Sequence, residues 1–151
     1  MNLKALVGSG DNIALFTFPF LMLGLVLNIA FPAAFRVGGP PAALAAVSAA
    51  VLAVGVVVWV WSAVLIARRV PKRALITDGP YSLVKHPLYT GVALLVLPWL
   101  GFLCDTWLGA ALGVVLYAAS RIFEPAEEAA LARTFGAAWT RYSRTVRIRW
   151  L

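Results

Sequence analysis

The chain has 151 residues, of which 62% are hydrophobic and 13% charged, a balance too apolar for a water-soluble domain of this length. Its formal net charge of +7 raises the possibility of a nucleic-acid partner. The placement of the cations argues against that, because they gather at the ends of apolar runs where anionic lipid headgroups lie.

The first apolar run, Ile13 to Phe35, and the second, Ala42 to Ala67, carry no charged residue and exceed the 18 or so positions that mark a membrane-spanning helix. Lys4 before the first run raises the question of a cleaved leader. The run is longer than a leader core and no small-residue cleavage pattern follows it, so it reads as a retained helix. Pro19 and Pro32 read as kinks, and Gly38-Gly39-Pro40-Pro41 as the turn that sets the first two helices antiparallel. The first half of the second helix, from Ala42 to Gly55, is mostly small residues (Ala, Ser, Gly), which suits close packing within the chain or across a dimer. Leu88 to Cys104 and Trp107 to Phe123 are shorter, roughly 25 Å each at 1.5 Å per residue, and read as a tight hairpin of two further spans turning at Asp105 and Thr106. Beyond them, Glu124-Pro125-Ala126-Glu127-Glu128 precedes Leu131, Phe135, Ala138, Trp139 and Tyr142, an amphipathic stripe. That pattern predicts an interfacial helix over about residues 125–142 with Pro125 in its first turn and Gly136 in close contact with a neighbour.

The expected architecture is therefore all-α and integral to the membrane, a single domain over residues 1–151 with four transmembrane helices (about 13–35, 42–67, 88–104 and 107–123) and a C-terminal amphipathic helix. In this arrangement twelve of the thirteen Lys and Arg lie on one face, Lys4 and Arg149 among them, and Arg36 alone lies on the other. The positive-inside bias then puts both termini in the cytoplasm.

Between the second and third runs stands Gly79-Pro80-Tyr81-Ser82-Leu83-Val84-Lys85-His86-Pro87-Leu88-Tyr89-Thr90-Gly91, which holds the single histidine. Two prolines and two glycines constrain the backbone there, while Tyr, Lys and His supply donors, acceptors and a titratable ring. Glu127 and Glu128, two of only six acids, directly follow a span, where charge is costly unless solvated or paired. Helix-dipole compensation explains them structurally; functionally, one would bind a cation while the other, about 100° around the helix, pairs with an arginine. A lone cysteine, Cys104, permits no intrachain disulfide, and with one histidine it makes no recognisable zinc or iron set.

These motifs resemble those of the isoprenylcysteine carboxyl methyltransferase and phospholipid methyltransferase superfamily: Gly79-Pro80-Tyr81, Lys85-His86-Pro87-x-Tyr89-x-Gly91, and Glu127-Glu128-x-x-Leu131-x-x-x-Phe135-Gly136-x-x-Trp139-x-x-Tyr142. The similarity extends over roughly residues 75–147. It implies a membrane methyltransferase that uses S-adenosylmethionine, with Tyr81, His86, Pro87, Tyr89 and Gly91 on one wall of the cofactor site and Glu127 and Glu128 on the other. It also implies a lipophilic acceptor arriving from the bilayer, such as a prenylcysteine carboxylate or a phospholipid amine, with membrane lipids as surroundings and no nucleic-acid partner. Lys85 stands where the family usually has arginine, and Trp139 where tyrosine is more usual.

The residue chemistry agrees, since aromatic faces and carboxylates hold a sulfonium cation. No Gly-rich nucleotide loop follows a strand, which excludes a soluble Rossmann-type enzyme. His86 is the candidate general base, needed for a protonated amine acceptor but not for a carboxylate or thiolate. An NADPH-dependent reductase of sterol-reductase-like type and a non-catalytic helical membrane protein are the alternative readings, and the oligomeric state is left open.

Overall fold

The structure is a computed structural model that describes residues 10–39 and 41–148; Lys4, Pro40 and Arg149 of the reading above lie outside them. Helix α1 covers Gly10–Ala30, α2 Ala42–Arg69, α3 Pro87–Leu103, α4 Leu108–Phe135 and α5 Ala137–Thr145. A short helical turn, Pro32–Phe35, follows α1, and 3-10 turns occupy Val70–Lys72 and Gly79–Ser82. Among the described residues there is no strand. Three helices, α1, α2 with its 3-10 extension, and α4, are long and apolar enough to cross a membrane, whereas α3 has only 17 residues. The four-span expectation thus resolves into three full-length helices and one short one.

The first helix ends earlier than the apolar run does. Pro32 constrains the residue before it, and Phe31 accordingly leaves the helical region at φ −131° and ψ 59°. Pro19 lies inside the continuous helix α1. The side chains of α1 are largely exposed all round except on the stripe facing α4, where the rings of Phe16 and Phe123 meet at 6.2 Å, as expected of a helix whose other faces are covered by lipid.

Helix α3 is clamped between α2 and α4 by glycine seats. A Cβ on Gly101 would lie 2.8 Å from the Gly109 Cα, and one on Gly55 of α2 2.8 Å from the Leu95 Cβ, so neither position accepts a side chain. Within α3, Val92–Val96 form a π turn. Pro98 has no N–H to give the carbonyl of Leu94, and the Trp99 indole N–H takes that carbonyl instead at 3.2 Å.

At one end of the bundle Asp105 ties both hairpin loops together. Its carboxylate accepts from the backbone N–H of Gly38 (3.0 Å) and Gly39 (2.8 Å) and from Arg36 Nε (3.1 Å). The Gly39 N–H first, and then the Arg36 guanidinium, hold its carboxyl below the usual carboxylate range. Asp105 itself has φ +55°, the left-handed residue that turns the α3–α4 hairpin at the expected place. The cation that stood apart in the sequence therefore has a built partner.

At the basic end the expectation for the tail needs correction. The chain does not start a new helix at Pro125, because α4 runs unbroken through it to Phe135. At 28 residues, α4 is about 42 Å long, longer than a hydrocarbon core of about 30 Å, and its acidic turn follows the end of its apolar part at Phe123. Pro125 is exposed there, where interfacial water can satisfy the carbonyl that proline leaves without a donor. The break comes at Gly136, with φ +50° and ψ −122°. A Cβ there would meet nothing within 4 Å, so backbone conformation, not close contact, explains this glycine. The stripe nevertheless assembles across the break: Trp139, Tyr142 and Val146 pack with Leu131, Phe135, Leu75 and Tyr81.

Candidate functional site

The segment from Gly79 to Gly91 begins as a 3-10 turn and ends as the first turn of α3. Pro87 occupies that first turn, where its missing N–H has no helical acceptor in any case, and it leaves His86 at the N-cap with φ −124° and ψ 61°. The Thr90 hydroxyl and the Thr90 N–H both donate to the His86 carbonyl, at 2.9 and 3.1 Å. These bonds hold the His86 backbone, and its imidazole, 4% exposed, faces α4. Tyr89 lies beside it, with ring centroids 6.3 Å apart.

Across from this turn, the end of α4 presents its acidic residues. His86 Nδ1 is 3.9 Å from Glu127 Oε1, and Nε2 is 3.4 Å from Glu128 Oε1. Neither contact has the alignment of a good hydrogen bond, and Nε2 is buried without a hydrogen-bond partner. Lys85 Nζ donates to Glu128 Oε1. The His86 ring and then the Lys85 ammonium hold the Glu128 carboxyl down at about 2, against the opposing effect of partial burial. Two adjacent glutamates thus differ in setting: Glu128 pairs with Lys85 in the place foreseen for an arginine, while Glu127 also lines the space between the turn and the end of α4.

That space is a partly open cleft. Its polar lining is Tyr81, Lys85, His86, Tyr89, Glu127 and Tyr142, and its apolar lining comes from Leu88, Leu131, Phe135, Trp139 and the stretch between α2 and the histidine turn. The Tyr142 hydroxyl donates to the Tyr81 carbonyl at 2.8 Å, which seats α5 on the turn. Burial first, and then the field of Glu127, pushes the Tyr81 phenol well above its ordinary value; burial followed by Glu128 does the same for Tyr142. Both remain neutral hydroxyls.

Of the residues singled out in the sequence, Tyr81, His86, Tyr89 and Glu127 line the cleft, and Glu128 reaches it through Lys85 and His86. Pro87 and Gly91 do not line it: their side of the turn faces a separate groove, and they shape the wall from behind. Sequence reasoning missed Val70, Ala74, Leu75 and Ile76, whose signal was an apolar stretch inside an otherwise basic connection. It also passed over Glu124, a buried carboxylate paired with Arg121 at 3.2 Å one turn closer to the bilayer.

Comparison with curated proteins finds no match, and comparison with solved structures finds none either. A sequence model of the isoprenylcysteine carboxyl methyltransferase (ICMT) family does match, over residues 42–133. The matched region begins earlier than the motif resemblance and stops before Phe135, Trp139 and Tyr142, yet takes in α2, the histidine turn, the α3–α4 hairpin and both glutamates. More than half of the chain being so covered, this apolar helical protein belongs to the ICMT family of membrane methyltransferases.

Proposed function

We propose that the protein transfers a methyl group from S-adenosylmethionine to a lipophilic acceptor, such as a prenylcysteine carboxylate or a phospholipid amine, at the cytoplasmic membrane interface. The observation that carries this reading is the convergence of His86 on Glu127 and Glu128 across a cleft walled by Tyr81, Tyr89 and Trp139. The residues fit the cofactor. Glu127 is a carboxylate beside open space for a cationic ligand, the aromatic walls suit both a sulfonium and a flat base, and the unpartnered His86 Nε2 is a buried polar atom at the cleft. When bound, S-adenosylmethionine supplies an electrophilic methyl on a cationic sulfur.

The chain's own part is binding, orientation and exclusion of water. Glu127 attracts positive charge, and the neutral Tyr81 hydroxyl and the aromatic faces position the ligand without adding competing charge. The Lys85 and Glu128 pair stiffens the wall carrying His86, so the imidazole keeps one orientation. For a protonated amine acceptor, His86 takes the proton that the nitrogen loses; for a carboxylate acceptor it only positions. Glu124 and the apolar part of α4 lie on the bilayer side of Glu127, the direction from which a lipophilic acceptor arrives. The basic end, with Arg68, Lys72, Arg73, Arg133 and Arg141, supports a cytoplasmic location for the cleft.

Membranes containing the protein, incubated with methyl-labelled S-adenosylmethionine and analysed by mass spectrometry, are expected to yield label in the apolar extract that His86→Ala and Glu127→Gln diminish. Protection of the purified protein against heat by NADPH, with none by S-adenosylmethionine, would establish the reductase alternative instead.

A further inference from the structure

The histidine turn is a wall with two sides. On the side away from the cleft, α2, α3 and the turn line a partly open groove, and its lining shares no residue with the cleft. Tyr81, His86 and Tyr89 face one cavity; Pro80, Pro87 and Gly91, from the same thirteen residues, face the other.

The groove has a direction. Ala53 and Val57, near the middle of α2, line its deep end, and Trp61 lies further along, its indole pressed against Gly79 so that a Cβ there would come within 3.0 Å. From Ala53 to Trp61 is about 12 Å along the helix axis, and the remaining distance to the basic end makes the groove about as long as one leaflet is deep. Nearly all of its lining is aliphatic or aromatic, with Arg147 as its charged residue. The Arg147 backbone is held by the Ser82 carbonyl at 3.4 Å, and the exposed side chain has no acidic partner among the described residues.

We infer that this groove binds an anionic phospholipid of the inner leaflet, one acyl chain against α2 and α3 and the phosphate on Arg147. An apolar slot that starts at mid-bilayer and ends on a cation at the interface matches a lipid chain and an anionic headgroup in that order. The occupant is not the methyl acceptor, because the turn from Gly79 to Gly91 stands between the groove and the cleft. The inference goes beyond the proposed reaction and is read without it. An occupied groove supports the backs of Pro87 and Gly91, whose neighbours His86 and Tyr89 form the cleft wall.

The test is native mass spectrometry of the delipidated full chain, titrated with palmitoyl-oleoyl phosphatidylglycerol or with phosphatidylcholine bearing the same chains. The wild type is expected to retain one phosphatidylglycerol at about fivefold lower concentration than phosphatidylcholine, the preference that one interfacial arginine supplies. Arg147→Gln should erase the preference while keeping chain binding. Val57→Trp, which fills the groove from an exposed position on α2 and touches no cleft residue, should lose both lipids. Equal retention of the two lipids by the wild type, or phosphatidylglycerol retention unchanged in both variants, overturns the inference. Recovery of a methylatable prenylated lipid from the groove overturns the choice of occupant.

Discussion

Replacing Glu127 and Glu128 singly by glutamine separates two jobs held by adjacent residues. Glu127 lines the cleft, its side chain 14% exposed, and its charge acts on whatever cation the cleft receives. Opposite charges at 4 Å interact by about 4 kcal/mol at an effective dielectric of 20, and desolvation of both groups reduces this to the 1.5–3 kcal/mol typical of a charged hydrogen bond. Glu127→Gln is therefore expected to weaken S-adenosylmethionine binding by roughly ten- to a hundredfold. Glu128→Gln instead leaves the Lys85 ammonium, 15% exposed, against a neutral amide. The pair is partly solvated, which limits the loss to about 1–2 kcal/mol and lowers the melting temperature by about 2–8 °C, with a smaller effect on binding. Calorimetric titration and thermal unfolding of both variants in one detergent read the two effects side by side. Wild-type affinity in Glu127→Gln, or a larger loss of binding in Glu128→Gln than in Glu127→Gln, would refute the division of labour.

Three further outcomes follow from the geometry. Tyr142→Phe removes the donor to the Tyr81 carbonyl at the join of tail and turn; unfolding should cost about 1–2 kcal/mol less, and cofactor affinity should fall in parallel. Gly101→Val forces a side chain onto the Gly109 backbone and should abolish the monodisperse peak in size-exclusion chromatography that the wild type gives. The acid limb of stability has a defined sign. Because Glu128 titrates at about 2 when folded against 4.5 ordinarily, its contribution is present above pH 4.5 and disappears as the pH falls toward 2. The melting temperature of the wild type should consequently drop more steeply over that interval than that of Glu128→Gln.

Hydrophobic run length and turn residues carried most of the fold. The charge-free stretches located α1 and α2, and Asp105 turned the last hairpin where its position between two apolar runs indicated. Pro125 misled because proline suits a helix's first turn and is also tolerated inside a membrane helix near water, and one sequence pattern serves both. Gly136 misled similarly: a glycine seat and a glycine with positive φ look alike until the backbone is known. The meeting of His86 with Glu127 and Glu128 was legible only through the motif resemblance, since 41 residues separate His86 from Glu127 and no periodicity spans two helices. The Lys85 partner, the contribution of Leu75 and Ile76, and the two-sided character of the histidine turn depend on how that turn docks against α2, α4 and α5. That tertiary arrangement leaves no local signature in the chain.

The central claim is that the histidine turn and the acidic end of α4 together hold one sulfonium nucleotide. Ultraviolet cross-linking of methyl-labelled S-adenosylmethionine to the purified protein, followed by peptide mapping, addresses it most directly. The account predicts label in peptides carrying Tyr81 to Tyr89 and Glu127 to Tyr142, competed away by unlabelled cofactor. Competable label confined to α1, or to the α2 residues of the lipid-side groove, would contradict it.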